Sequence, residues 1–496
     1  MTLFSESDDR RPAPSLHRLL TPRTLGLLAV ALLGACRGRT GIAVPPAPAA
    51  AVPAGATLPA LPAACGPAAR ATSTSLAASA VSDPLVTFDS AWSIIARTHW
   101  DTTYNGVSWT AVRDELRPRA GAAQTTGQLR AVLSDMLGRL RQSHFSIIPR
   151  EVADAGGGGG EKSGATPDRS GTMGLEVRWL DSTIVVAQID RGGPADRAGI
   201  RTGWRVLAVN GCPMSARLAR TPNEPDLRRA ALTAYSVATA AMAGAVGDTA
   251  TVLLADDRGA ERALKVAYAP PRGVVAKFGN LPAMTAQLTH ERVQAYGKTV
   301  GVIRFNIWMP VLSPQFDAAI DSLRDVDAIV IDLRGNFGGV GGMSMGIAGH
   351  FLDSTRTIGT MVQRGATLRF VANPRRVDTR SRGVTPYAGP LALVVDELSI
   401  STTEIFAGGL QAMGRAQLFG VQTSGQALPS VPERLPNGDI LYHAIADFLS
   451  PTGKPLEGDG VRPDRVVPLT RAALLAGRDP ALDAAIAWAL APITAK

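Results

Sequence analysis

The sequence predicts an α/β core that follows a small helical N-terminal region and a mostly-β insert. Three patterns carry that expectation. From residue 298 onward, strand-like and helix-like runs alternate: "TVGVIRFNIW", "FDAAIDSLRD", "VDAIVIDLRGN", "GPLALVVDE" and "STTEIFAGGLQAMG". Such alternation implies a sheet with parallel neighbours and right-handed crossovers. Before it, "GLEVRWLDSTIVVAQID", "TGWRVLAVNG" and "TATVLLADDRGAERALKVAYAP" read as short alternating strands broken by turn signals. Earlier still, Leu129, Val132, Leu133, Met136, Leu137 and Leu140 recur at helical spacing. The chain has 496 residues, 45% of them hydrophobic and 19% charged, which is ample for a sizeable core.

Taken in order, the chain opens with an export signal over residues 1–35. Arg10, Arg11, Arg18 and Arg23 precede the apolar run "LGLLAVALLGAC", which is too short to span a membrane and stay there. Its ending resembles a bacterial lipobox, which implies cleavage before Cys36 and lipidation of that residue. An ordinary signal with a coincidental cysteine is the alternative. Arg37 in place of Asp suits the outer membrane of a Gram-negative cell, with the protein facing the periplasm. Residues 36–84 form an Ala/Pro-rich tether. Residues 85–150 form the helical region, and 151–168 a glycine-rich linker containing five consecutive glycines at 156–160. The insert covers 169–272 and the α/β core 273–496.

Composition excludes several function classes. The net charge is +9, yet no run of five Lys or Arg occurs, so no nucleic-acid partner is expected. Cys65 and Cys212 are expected to stay unpaired, one in the tether and one in a turn. No C-x-x-C or His-rich spacing appears, so neither a metal nor another cofactor is expected.

Two strand ends in the core could carry chemistry. "IVIDLRGNFGGVGG" leaves a buried strand for a turn in which Gly338, Gly339, Gly341 and Gly342 free backbone N–H groups to face an anion. No G-x-x-x-x-G-K-[ST] is present, which argues against a nucleotide loop; a tight turn without function is the plainer alternative. The second end is "ELSISTTE", where a strand turns into a helix. Ser401 with Glu404 three residues on is a capping box, and it is also a hydroxyl at a helix N-terminus, where Thr402 N–H would face an oxyanion.

"VIDLRGNFGG", "SISTTEIFAGGLQAMGRAQLFG" and "LEGDGVRPD" occur in one order. Together they resemble the C-terminal processing peptidase family, which includes tail-specific proteases, the tricorn core protease and retinoid-binding repeats. "GGPADRAGIRTGWRVLAVNG" resembles a PDZ domain. The resemblance implies a serine endopeptidase or carboxyl-terminal processing peptidase acting on polypeptides, with Ser401 as nucleophile and Ser399 as the motif's earlier serine. It also implies an oxyanion site at Gly338, Gly339 and Thr402. In the PDZ-like insert, the amides of Leu175, Glu176 and Val177 would accept a substrate's terminal carboxylate.

The chain departs from the tail-specific branch. "QTSGQALPS" puts Gln426 where that branch has its catalytic Lys, and an amide cannot take the serine proton. Lys454 lies in a turn expected to be solvated. "LRQSHFSI" is similar to the tricorn-like branch, which implies His144 as base, oriented through Ser143 and Glu457. On its residues alone, His144 equally continues the apolar face from Leu137 and Leu140, and Glu457 is equally a surface-turn residue. His17, His99, His290, His350 and His443 fall in no such motif. Asp464 is expected to fix the terminal loop. The alternative function is an inactive family member that binds a peptide or small hydrophobic ligand.

Overall fold

Three helices pack into the N-terminal region: α1 (Pro84–Thr98), α2 (Trp109–Gly121) and α3 (Thr126–Gly138). The structure, a computed structural model, describes residues 65, 80–81, 83–154, 170–221 and 224–491. The signal, Cys36, most of the tether and the glycine run lie outside the described residues. α3 opens on a capping box between Thr125 and Gln128 and buries Leu129, Val132, Leu133, Met136 and Leu137, the residues whose spacing predicted it. Trp92 and Trp109 lock α1 to α2 by each donating its indole N–H to the other's carbonyl. The chain then leaves α3 through a turn into β1 (Ser146–Ile148), which pairs antiparallel with residues 440–442 of the core. Arg150–Ala153 forms a short helix where the linker was expected to begin.

In the insert, β2 (Leu175–Leu180), β3 (Thr183–Ile189), β4 (Arg205–Val209), β5 (Thr249–Ala255) and β6 (Glu261–Ala267) form one sheet in that order, with β2 at its edge. A helix that the sequence reading passed over, α4 (Leu227–Ala241), packs on β2 and β3 through Ala231, Ala234 and Ala238. Cys212 follows β4, and here an expectation fails. Cys65 and Cys212 form a disulfide, Cα to Cα 4.6 Å, so residue 65 is bonded to the insert. At a sequence separation of 147, spacing alone gave no sign of the pairing.

The core is a six-stranded sheet. β7 (Leu288–Ala295) pairs antiparallel with β8 (Lys298–Phe305). From β8 the sheet runs parallel through β9 (Ala328–Asp332), β10 (Leu391–Val395), β11 (Gln417–Gly420) and β12 (Arg465–Val466). Every residue of β9 and β10 is buried, as central parallel strands require. Helices α5 (Ser313–Ser322), α6 (Gly341–Ala348) and α7 (Thr402–Ala412) contribute to the core on one face, and α8 (Pro480–Leu490) covers the other. β9 and β10 are adjacent, so the glycine turn and the serine turn that follow them lie side by side, at the carboxyl ends where sites in such sheets gather.

Candidate active site

Ser401 stands between β10 and α7 with φ 59° and ψ −120°, a conformation costly for a residue with a side chain. Its N–H donates to Gln426 O at 2.8 Å and to Glu404 Oε2 at 3.1 Å. Beneath it, Asp396 couples the two strand ends. Its Oδ1 accepts from Gly335 N–H of the glycine turn and from Leu398 N–H of the serine turn. Ser399 adds a second tie, its hydroxyl donating to Leu333 O at 2.9 Å. Asp396 Oδ2 also receives Arg178 Nε from the insert at 2.9 Å.

The glycine turn lies against the serine. A Cβ on Gly338 would come within 2.6 Å of Ser401 Cβ, and φ is +84°, so only glycine fits. Gly338 N–H is already given to Asn336 Oδ1 at 3.0 Å. Among the described residues the N–H groups of Gly339 and Thr402 have no acceptor. Buried Asn336 organises the turn: its Nδ2 donates to Phe305 O, while its Oδ1 accepts from Gly338 and from Thr403 Oγ1. Trp308 brackets the same turn through Trp308 N–H to Gly338 O and Val340 N–H to Trp308 O. Asn336, Trp308, Asp396 and Arg178 escaped the sequence reading. The signal for Asn336 was a polar residue inside the quoted glycine motif.

Glu404 does more than close a cap. Fully buried, it accepts from Thr423 Oγ1, Gly425 N–H, Gln426 N–H and Ser401 N–H. Those bonds favour the carboxylate, yet burial outweighs them and its pKa is pushed up to about 7. It thereby folds the loop 423–427 over the start of α7, placing Gln426 beside Ser401 by backbone. Lys454 is exposed in its turn, and Asp464 accepts from Leu418 N–H and Gln411 Nε2, fixing the end of the sheet.

The same loop reaches the second cluster. Ala427 N–H donates to Glu457 Oε2 at 3.0 Å, and Ser143 donates to Glu457 through N–H at 2.9 Å and Oγ at 2.8 Å. Ser143 Oγ lies 2.7 Å from His144 Nδ1. The serine has one proton, and it goes to the carboxylate, so Ser143 Oγ accepts from Nδ1–H. Nε2 then carries the lone pair. His144 has φ 62° and rests beside Tyr442, ring centroids 5.9 Å apart. Its ring is half-buried by surface, but the protein around it disfavours charge and pushes its pKa down to about 4. Neutral imidazole is therefore the form present at neutral pH. Burial raises the Glu457 pKa against its three hydrogen bonds.

The remaining predicted positions lie at the insert's edge. Leu175, Glu176 and Val177 begin β2 after Gly174, whose φ is +70°, with a bulge between Glu176 and Val177. The Glu176 side chain turns to the core and meets Arg304 at 2.8 Å. From α4, Arg228 donates to Gly458 O, Asp459 O and Thr423 O, and Tyr235 lies against Phe337, ring centroids 5.3 Å apart.

Comparison with known proteins agrees with this architecture. Residues 299–467 match peptidase family S41 and residues 83–138 the tricorn protease C1 domain. The chloroplastic carboxyl-terminal-processing peptidase 3 of Arabidopsis thaliana is 26% identical over 390 residues, covering 75% of this chain and 67% of its own. A carboxyl-terminal-processing protease of Picosynechococcus is 26% identical over 390 residues, covering 76% and 82%. Among solved structures, the photosystem II D1 C-terminal processing protease superposes with TM-score 0.51 at 20% identity, covering 79% of this chain and 95% of that one. Mature CPAF complexed with lactacystin gives 0.52 at 14% identity, covering 82% and 97%.

Proposed function

This chain is a serine peptidase of the carboxyl-terminal-processing kind with a family S41 core, and on that premise we propose a mechanism in which Ser401 is the nucleophile and His144 the base. Ser401 Oγ attacks a peptide carbonyl carbon while its proton passes to His144 Nε2. Gly339 and Thr402 N–H groups hold the oxyanion, and Gly338 supplies the close approach. Collapse expels the amine, which takes the proton from Nε2, and water then hydrolyses the acyl-enzyme by the reverse route. Glu457 acts through Ser143 to keep Nδ1 protonated and the ring oriented.

One observation carries this reading. Loop 423–427 is bonded at one end to Ser401 and Glu404 and at the other to the Glu457–Ser143–His144 chain, so a single short segment sets both halves. The reading extends to the substrate: a free C-terminus would be received by the amides of Leu175, Glu176 and Val177. It extends also to the compartment, an exported protein held in the cell envelope through Cys36 at the outer membrane. The disulfide supports an oxidising compartment.

The test is turnover of an unstructured peptide together with labelling by a serine-reactive phosphonate. Ser401→Ala and His144→Ala should each lose about 10⁴- to 10⁶-fold in kcat, and the label should be absent from Ser401→Ala. Equal turnover by all three proteins would sink the mechanism.

A further inference from the structure

His99 belongs to no motif, yet it is fully buried and wired to the turn that carries His144. Both ring nitrogens are engaged. Nδ1 lies 2.8 Å from Asp101 O, and Nε2 lies 2.9 Å from Gln142 Oε1, on the residue just before Ser143. In either tautomer Gln142 completes the pair, since a primary amide offers its oxygen to an N–H or its NH₂ to a bare nitrogen. On the other side of His144, the ring of Phe145 stacks on His99, centroids 5.7 Å apart and 16° from parallel.

The segment that holds His99 is itself fixed. The Asp101 carboxylate accepts from Thr103 N–H, Thr103 Oγ1 and Asn105 N–H, and Asn105 Nδ2 donates to Leu140 O at 2.9 Å. Residues 99–105 therefore grip the turn at Leu140, Gln142 and Phe145. The turn needs an external hold, because both Arg141 and His144 adopt positive φ, 52° and 62°, and such conformations persist only where the surroundings over-determine them. Ser143 and Glu457 orient the imidazole from its Nδ1 side and tie the backbone at one point, Ser143 N–H, whereas Gln142 and Phe145 on either side of that point are met by His99.

We propose that His99 is a positioning residue for acyl transfer: through Gln142 and Phe145 it fixes the backbone that aims His144 Nε2 at Ser401. The inference rests on His144 being the base. A histidine that merely filled the core between α1 and the turn would contribute stability and leave the chemical step alone. A positioning residue changes kcat, because displacing a base by a fraction of an ångström costs rate and not peptide binding.

The experiment measures kcat and KM of the full chain on an unstructured peptide for His99→Asn, His99→Gln, Gln142→Ala and the double variant His99→Asn/Gln142→Ala, with His144→Ala as control. Gln at 99 places an amide near the site of Nε2, whereas Asn reaches only the site of Nδ1. His99→Asn and Gln142→Ala should each lose about ten- to a hundredfold in kcat with KM unchanged. His99→Gln should recover most of that loss, and the double variant should be no worse than the worse single one, because both cut the same bond. Gln142→Ala, a change at a half-buried side chain, carries the test if the His99 variants fold poorly. Wild-type kcat in folded His99→Asn and Gln142→Ala, or losses that multiply in the double variant, would overturn the proposal. An inactive His144→Ala beside a fully active His99→Asn overturns this inference alone, whereas an active His144→Ala overturns the base assignment and this inference with it.

Discussion

The shelf under Ser401 is built mainly from backbone groups of two adjacent strand ends, whereas the turn carrying His144 is held largely by side chains brought from elsewhere in the chain. Gly338 N–H, Gly338 O, Ile400 N–H and Ser401 N–H are all tied within the core, with Asn336, Asp396 and Glu404 as buried carboxyl or amide hubs. The His144 turn depends on Glu457, on Gln142 and on residues 99–105. A shelf made from sheet ends is rigid by construction and tolerates little added volume. A turn made from side-chain bonds can lose one bond and keep the rest.

That difference sets the order of expected effects. Gly338→Ala should break the serine half most severely, because its Cβ would meet Ser401 Cβ at 2.6 Å and Ile400 O at 2.8 Å in a backbone with φ +84°. We expect kcat to fall about 10²- to 10³-fold, the size of losing an oxyanion donor, with the fold retained. Near wild-type kcat would mean that the shelf is softer than its geometry. Glu457→Gln and Ser143→Ala strike the other half, where Nδ1 loses its oriented acceptor. About a hundredfold loss in kcat is expected, less than for His144→Ala.

The halves should also separate by pH. For His144, burial lowers the folded pKa from 6.5 to about 4, so the unfolded chain binds more protons in that window and stability falls as pH drops through it. For Glu404, burial raises the folded pKa from 4.5 to about 7, so the folded chain binds more protons and stability falls as pH rises through that window. The two windows overlap and the two contributions oppose each other, so the melting temperature of His144→Ala relative to wild type should rise as pH falls from 6.5 to 4, the Glu404 contribution being common to both proteins. With the neutral His144 ring as the proposed base, the acid limb of wild-type kcat/KM should lie near pH 4. A limb near 6.5 would show that the ring is solvated in the working enzyme.

The two halves differ as much in how far the sequence revealed them. The serine half is local. A buried apolar strand, a glycine-rich exit and S-x-x-E at a helix start are each visible within a dozen residues, and the parallel pairing of β9 with β10 follows from strand–helix alternation. What stayed hidden there was the buried polar scaffold, Asn336 and Asp396, because a polar residue in a turn looks solvated until the fold buries it. The histidine half is non-local: Ser143 and Glu457 are 314 residues apart, and only resemblance to a family brought them together. α4 was missed because its buried face is Ala231, Ala234 and Ala238, too small to stand out as an apolar stripe in an alanine-rich stretch. β11 and β12 are four and two residues long, shorter than a periodic pattern needs.

The insert touches both halves, through Arg178 to Asp396 on the serine side and through Arg228 to Gly458 and Asp459 beside Glu457 on the histidine side. The Cys65–Cys212 bond offers the mildest way to ask whether the insert's own integrity reaches the site. Cys212 sits after β4, paired back onto that strand. Closing so long a loop stabilises chiefly by restricting the unfolded chain, by about 2–4 kcal/mol. Reduction, or Cys65→Ser, should lower the melting temperature while leaving kcat, KM and the pH limb where they were, and mass spectrometry should find two additional free thiols on reduction. A reduced protein that melts normally but turns over slowly would reverse this ordering. Stability would then not run through the bond at all, and the insert would be holding Arg178 and Arg228 in place for both halves at once.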